Sequence, residues 1–125
     1  MKPTSYLSAL FRPSALPAGE RLISRYFYNC PAEDASHTID AETTADLDLN
    51  AVFERIDRTT SKVGQQCLYA RIRTLRGQED AEAFGRSTDC FSRNGELAAS
   101  CTESLSRLTD EDAYGLQNLI FDTPA

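Results

Sequence analysis

The sequence predicts an all-α domain, an irregular helical bundle of about five to six helices. Apolar residues recur at helical spacing in successive stretches, and Ser, Thr, Asp or Asn stands before most of them as a capping residue. Only Thr38, Ile39 and scattered β-branched residues favour a strand, and no repeat with a period of about 20 to 50 residues interrupts the pattern.

With 125 residues, 41% of them hydrophobic and 26% charged, the chain has room for one compact domain and none for a multidomain enzyme. Residues 1–17 hold Pro3, Pro13 and Pro17, which push the residues before them toward extended backbone. That stretch is expected to be a leader or linker with at most a short helix over 4–11, and 18–125 to be the helical domain. The apolar run 6–11 is broken by Ser8 and stopped by Arg12 and Pro13, too short for a signal or a membrane span. The expectation is a cytoplasmic protein with no membrane partner. Cys30, Cys67, Cys90 and Cys101 form no C-x-x-C string and are expected to be free, mostly buried thiols.

Leu22, Ile23, Tyr26 and Phe27 form one stripe of a first helix over 18–29, with Arg21 and Arg25 off it and Pro31 ending it. The acidic stretch 32–46 reads as an exposed connection that sets Ile39 on the core, and it carries the single histidine, His37. A helix over 48–57 is expected to bury Leu49, Val52, Phe53 and Ile56 under a cap from Asp46 or Asp48. Thr60 or Ser61 then caps a helix reaching Arg73 or Leu75, with Cys67, Leu68, Ile72 and Leu75 inward and Gly77 at its end. Helices over 78–91 and 95–108 are expected to pair antiparallel, with Ala81, Phe84 and Phe91 inward on one, and Leu97, Cys101, Leu105 and Leu108 on the other. Asn94 starts the second of them. Thr109 and the acids Asp110, Glu111 and Asp112 open a last helix that buries Leu116, Leu119 and Ile120 before Pro124.

The formal charge of −6 repels phosphate backbones, so contact with nucleic acid requires a local basic patch. Arg71, Arg73 and Arg76 make one candidate, either touching phosphate or a partner carboxylate, or simply complementing a helix C-terminus. One histidine cannot supply both a metal set and a base, and the cysteines are too far apart to place two ligands on one turn. No Ser-x-x-Lys, G-x-S-x-G, H-E-x-x-H, G-x-G-x-x-G or G-x-x-x-x-G-K-[ST] string occurs. The acidic clusters sit at helix starts, where dipole compensation accounts for them. The chain is therefore expected not to be an enzyme, and to hold no metal or cofactor of its own.

One stretch carries more information. In 47–69, Asp57, Arg58, Thr59, Ser61, Gly64 and Leu68 match the pattern D-R-T-x-[TS]-x-x-G-x-R-x-L, placed between two helices. This resembles the start of the helical core of MutS-family DNA mismatch-repair proteins. Matching runs from Ile39 to Leu75, continues weakly to Phe121 and does not extend before Ala18. Gln66 stands where that family usually has arginine and Arg71 where tryptophan is common, which points to a divergent, MutS-related branch. The pattern also has a physical reading as a joint: Thr59 and Ser61 satisfy orphan amides at the turn, Gly64 lets another backbone approach, and Leu68 enters the core.

The resemblance implies a core and lever segment that relays nucleotide state to DNA grip, a coupling element rather than a catalytic centre. It implies DNA as a partner through the parent protein, an ATPase domain of the same chain, ATP and Mg bound there, and a homodimer. Neither the phosphate loop of that ATPase nor a Phe-x-Glu mismatch wedge is in the sequence, so the chain is expected to be the N-terminal portion of a longer protein or an excised domain. A second reading is a free-standing helical protein-interaction module, which an exposed patch of Leu116, Leu119, Ile120 and Phe121 would favour.

Overall fold

A computed structural model describes residues 19–29 and 35–121. The expected leader over 1–17, Cys30, Pro31 and Pro124 lie outside them. The order is α1 (Gly19–Asn29), β1 (His37–Thr38), α2 (Ala41–Asp46), α3 (Leu49–Ile56), α4 (Lys62–Ile72), β2 (Thr74–Leu75), α5 (Gln78–Arg93), α6 (Gly95–Leu105), a 3-10 turn (Glu111–Gly115) and α7 (Leu116–Phe121). The described residues are thus an all-α assembly of seven helices with one two-stranded ribbon.

The stretch read as an irregular connection folds. Asp40 caps α2, its carboxylate accepting from the Thr43 N–H at 2.7 Å. That backbone bond, with help from the Thr43 side chain, holds the Asp40 carboxyl below the usual carboxylate range. β1 pairs antiparallel with β2, His37 opposite Leu75 and Thr38 opposite Thr74. Gly77 therefore does not end α4. The chain leaves that helix at Arg73 to enter the ribbon, and Gly77 becomes the residue before α5. Between α2 and α3, Asp48 has φ 52° in the left-handed region, which Asp tolerates better than bulky residues, and its side chain makes no capping bond.

α4 is the hub, contacting α1, α3, β2 and the 3-10 turn. Ile23, Phe53, Tyr69 and Tyr114 make the buried cluster, flanked by Leu22, Phe27, Leu68 and Ile72. The Tyr69 ring meets Phe53 edge-on at 5.6 Å and Phe27 at 6.4 Å, the favoured aromatic geometry. The inward line of α4 runs through Gln66 and Tyr69 to its C-cap Arg73, three and seven residues apart. Cys67 and Leu75, expected inward, are exposed, because the buried stripe lies one residue away and is mostly polar.

Arg73 is only 2% exposed. Its guanidinium donates twice to the Ile39 carbonyl, from Nε at 3.1 Å and from a terminal nitrogen at 2.8 Å, and once each to the Tyr28 and Tyr69 hydroxyls. It also lies 4.2 Å from the centre of the Phe27 ring. Burial works against the charge, but the bonds to Tyr28 and Tyr69 outweigh it and keep the pKa above the ordinary arginine value.

On α5 and α6 the large apolar residues face mostly outward. α5 and α6 contain no buried residue; Phe84, Phe91, Leu97 and Leu105 are exposed, while Cys101 and Leu108 are half-covered. Ala81 is exposed as well. The two helices are joined by the single residue Asn94, whose side chain caps α6 by accepting from the Leu97 N–H. The expectation that these residues fill a core is corrected: the apolar stripes exist, but within the described residues little covers them. Ile56, Leu119 and Ile120, also expected inside, are exposed. The expected last helix begins instead as a 3-10 turn, with the buried Ala113 and Tyr114 taking the inward positions.

Arg73→Lys tests the cage. Lysine keeps the charge but loses the paired donation to Ile39 and the planar face over Phe27, at an expected cost of about 2 kcal/mol. Urea denaturation of the two proteins at neutral pH measures it.

Candidate functional site

The residues singled out by sequence pattern gather at the turn between α3 and α4. Asp57 follows the last residue of α3, its own N–H donating to the Phe53 carbonyl at 2.8 Å. One carboxylate oxygen accepts from the Thr59 N–H at 3.0 Å and from the Thr59 hydroxyl. The other accepts from the Gln65 side-chain amide at 2.9 Å. Partial burial opposes the charge, but the bonds from Thr59 and Gln65, with Lys62 nearby, win and hold the Asp57 carboxyl below its usual range.

Each remaining residue of the pattern has a definite task. Arg58 is exposed and donates to the Arg55 and Asp57 carbonyls, satisfying acceptors at the end of α3. Ser61, 2% exposed, is the N-cap of α4 and accepts from the Gly64 N–H at 2.9 Å. Leu68 packs against the aromatic cluster. At Gly64 a β-carbon would lie 3.0 Å from Ser61 Oγ and 3.3 Å from Thr59 Cβ. The expected role of this glycine is corrected accordingly: the space it leaves is taken by the capping side chains of the joint itself, not by the backbone of another helix.

Four residues outside the matched pattern complete the site. The Tyr114 hydroxyl donates to Gln65 Oε1 at 2.6 Å, so bonds run in one direction from Tyr114 through Gln65 to Asp57. The Gln66 amide nitrogen donates to the Leu22 carbonyl at 2.9 Å and the Tyr114 carbonyl at 3.1 Å, fastening α1 and the 3-10 turn to α4. Lys62 sets its ammonium 5.5 Å from the centre of the Tyr114 ring, and its N–H donates to the Leu108 carbonyl at 2.9 Å. The helices α5 and α6 thus leave from α4 at one end and return to the joint at the other. Two adjacent glutamines give no motif of their own, and Gln66 is marked in the sequence only as a departure from the pattern around it.

The three arginines separate. Arg73 is consumed in the core and cannot reach phosphate or a partner, which corrects its place among the candidate contacts. Arg71 pairs with Asp80 at 2.8 Å and lies 3.9 Å from the centre of the Phe84 ring, tying α4 to α5. Arg76 is exposed. Arg71 and Arg76 both line an open cavity of about 630 Å³ beside α4. Among the described residues no three His, Cys, Asp or Glu side chains gather in a group able to hold a metal ion, and no helix is long and apolar enough to cross a membrane. Comparison with family models, curated proteins and solved structures returned no match.

Two substitutions test the joint. Gly64→Leu forces its side chain against Ser61 and Thr59 and is expected to cost about 1–3 kcal/mol. Combining it with Ser61→Ala should give a non-additive loss, with a coupling of at least about 0.5 kcal/mol in a double-mutant cycle. Asp57→Asn sets an amide donor against the Gln65 donor, which forces Gln65 to turn and the Tyr114 hydroxyl to become the acceptor, and it replaces charge-assisted bonds with neutral ones; the cost in this half-exposed place is about 1 kcal/mol at neutral pH. Because the folded pKa of Asp57 is depressed, its stabilisation is full above the ordinary carboxylate range and disappears as pH falls through the folded value. The stability gap between wild type and Asp57→Asn should therefore narrow in acid, as read from denaturation midpoints across pH.

Proposed function

We propose that this chain is the non-catalytic core and lever segment of a MutS-like DNA mismatch-repair ATPase, in which the α3–α4 joint couples DNA grip to nucleotide state elsewhere in the parent protein. The observation that carries the reading is the joint: Asp57, Arg58, Thr59, Ser61, Gly64 and Leu68, the residues that match the MutS pattern, each meet a structural need of one turn. A second support is mechanical. α5 and α6, with no buried residue, depart from α4 beside Arg71 and come back to Lys62 and Tyr114, so a displacement of that helix pair is delivered to the joint.

In this reading ATP and Mg belong to the parent's ATPase domain, since the present sequence has no phosphate-cradling string, and DNA is met by the assembled parent, a homodimer, in the cytoplasm. A second reading, a free-standing helical interaction module, is favoured by one observation: Leu119 and Ile120 on α7 are 81% and 73% exposed. Leu116 of the same helix is half-covered.

Reading the coding sequence beyond Ala125 separates the two, because a G-x-x-x-x-G-K-[ST] string downstream is required by the first and a stop codon by the second. In such a parent, Gly64→Leu is expected to lower DNA stimulation of ATP hydrolysis while the DNA-free rate holds; stimulation equal to wild type would remove the coupling role. The 125-residue chain alone, at −6, is expected to bind duplex DNA no better than non-specifically at physiological salt, about 10⁻⁴ to 10⁻⁶ M, and submicromolar salt-resistant binding would contradict this.

A further inference from the structure

We propose that the cavity beside α4 is a docking site for an acidic peptide segment of a partner protein, one that seats an apolar side chain among aromatic rings and pairs its carboxylates with Arg71 and Arg76. The site shares Leu68 and Arg71 with the elements of the proposed coupling but uses neither Asp57, Gly64 nor Gln65, so the inference does not depend on that coupling role.

At about 630 Å³ the cavity falls within the range that holds a small ligand or a few residues of a peptide. Tyr26, Phe27 and Tyr28 of α1 supply its aromatic side, Leu68 of α4 its floor, and Phe84 of α5 the opposite rim. This is the setting an apolar anchor needs, with apolar walls and polar groups at the edge.

Charge identifies the occupant. The protein carries −6, yet no residue lining this cavity is acidic and two are arginines. Arg71 is held in place: one terminal nitrogen is fixed by Asp80 and its plane lies over Phe84, so its other N–H groups are presented without loss of rotamer freedom on binding. Asp80 offsets part of that charge, which leaves exposed Arg76 as the stronger attraction. The threonines Thr38 and Thr74 from the ribbon add hydroxyls to the lining. Single-stranded nucleic acid uses similar arginine and ring chemistry, but a polyanion feels the charge of the whole chain, whereas a short peptide with a few carboxylates meets only the local positive rim.

The test uses the full chain, ¹⁵N-labelled, titrated with a peptide alternating Asp or Glu with Leu or Phe. Its neutral Asn and Gln counterpart and a short oligothymidylate serve as the other probes. The acidic peptide is expected to shift the amides of Tyr28, Thr38, Cys67 and Arg76, and the neutral one to bind about tenfold more weakly. Arg76→Glu, at an exposed position, should weaken the acidic peptide by about tenfold or more without changing the melting temperature. Cys67→Trp, which fills the cavity from an exposed position of α4, should abolish the shifts. No cavity shifts at about 1 mM peptide, far above the affinity of any useful docking site, would overturn the proposal. Equal binding of the neutral peptide, or cavity shifts produced by oligothymidylate and not by the peptide, would overturn it equally.

Discussion

The arrangement depends on one buried cation. Removing a guanidinium from water is costly, and the fold meets the cost by surrounding Arg73 with the Ile39 carbonyl, two phenols and the Phe27 face. Those partners come from α1, the connection before α2, and α4 itself. Closing the cage therefore fixes where α1 lies on α4 and draws the β1 segment alongside β2, since the Ile39 N–H also donates to the Arg73 carbonyl at 2.8 Å. A purely apolar side chain at this position would fill space but would leave the Ile39 carbonyl and the phenols without these donors.

The opposite end of α4 solves a related problem with neutral groups. Gln66 bridges the carbonyls of Leu22 and Tyr114, and Gln65 passes a hydrogen bond from the Tyr114 hydroxyl to Asp57. The Gln65 amide uses its nitrogen as donor and its oxygen as acceptor, and the ionised Asp57, which can only accept, sets the direction of that sequence of bonds. The Gln66 nitrogen instead donates to both of its carbonyl partners. An arginine at the place of Gln66 would bring a second buried charge into a core that already holds one. Glutamine serves both carbonyls without that charge.

The sequence made the helical class and most helix limits legible, because Ser61 and Asn94 cap where short polar side chains usually cap, and α3 and α5 follow their apolar spacing. What it concealed was polarity. The buried line of α4 reads Gln66, Tyr69, Arg73, so apolar spacing points one residue away to Cys67, which is exposed, and is right only for Leu68 and Ile72, which pack at the edge of the cluster. The ribbon was hidden for another reason: two residues per strand carry no alternation, and the pairing is set by the distant anchor at Ile39. The joint was visible as a pattern, but its partners Gln65 and Tyr114 are 49 residues apart and belong to no local signature.

The misplaced apolar residues have a single explanation. Apolar spacing says which face of a helix is sticky, not what covers it. On α5, Phe84 and Phe91 lie seven residues apart on one face, and on α6 Leu97 and Leu105 lie eight apart, yet all four remain exposed. The buried cluster meanwhile is small and largely aromatic, leaving polar anchors at both ends of α4 to position the elements around it. A fold built this way is stiff along α4 and weakly held beyond it, so α5, α6 and α7 are the parts whose position another surface can set. Any such adjustment enters α4 through Arg71 at one end and through Lys62 and Tyr114 at the other, and the second of these routes leads directly to the Asp57 joint.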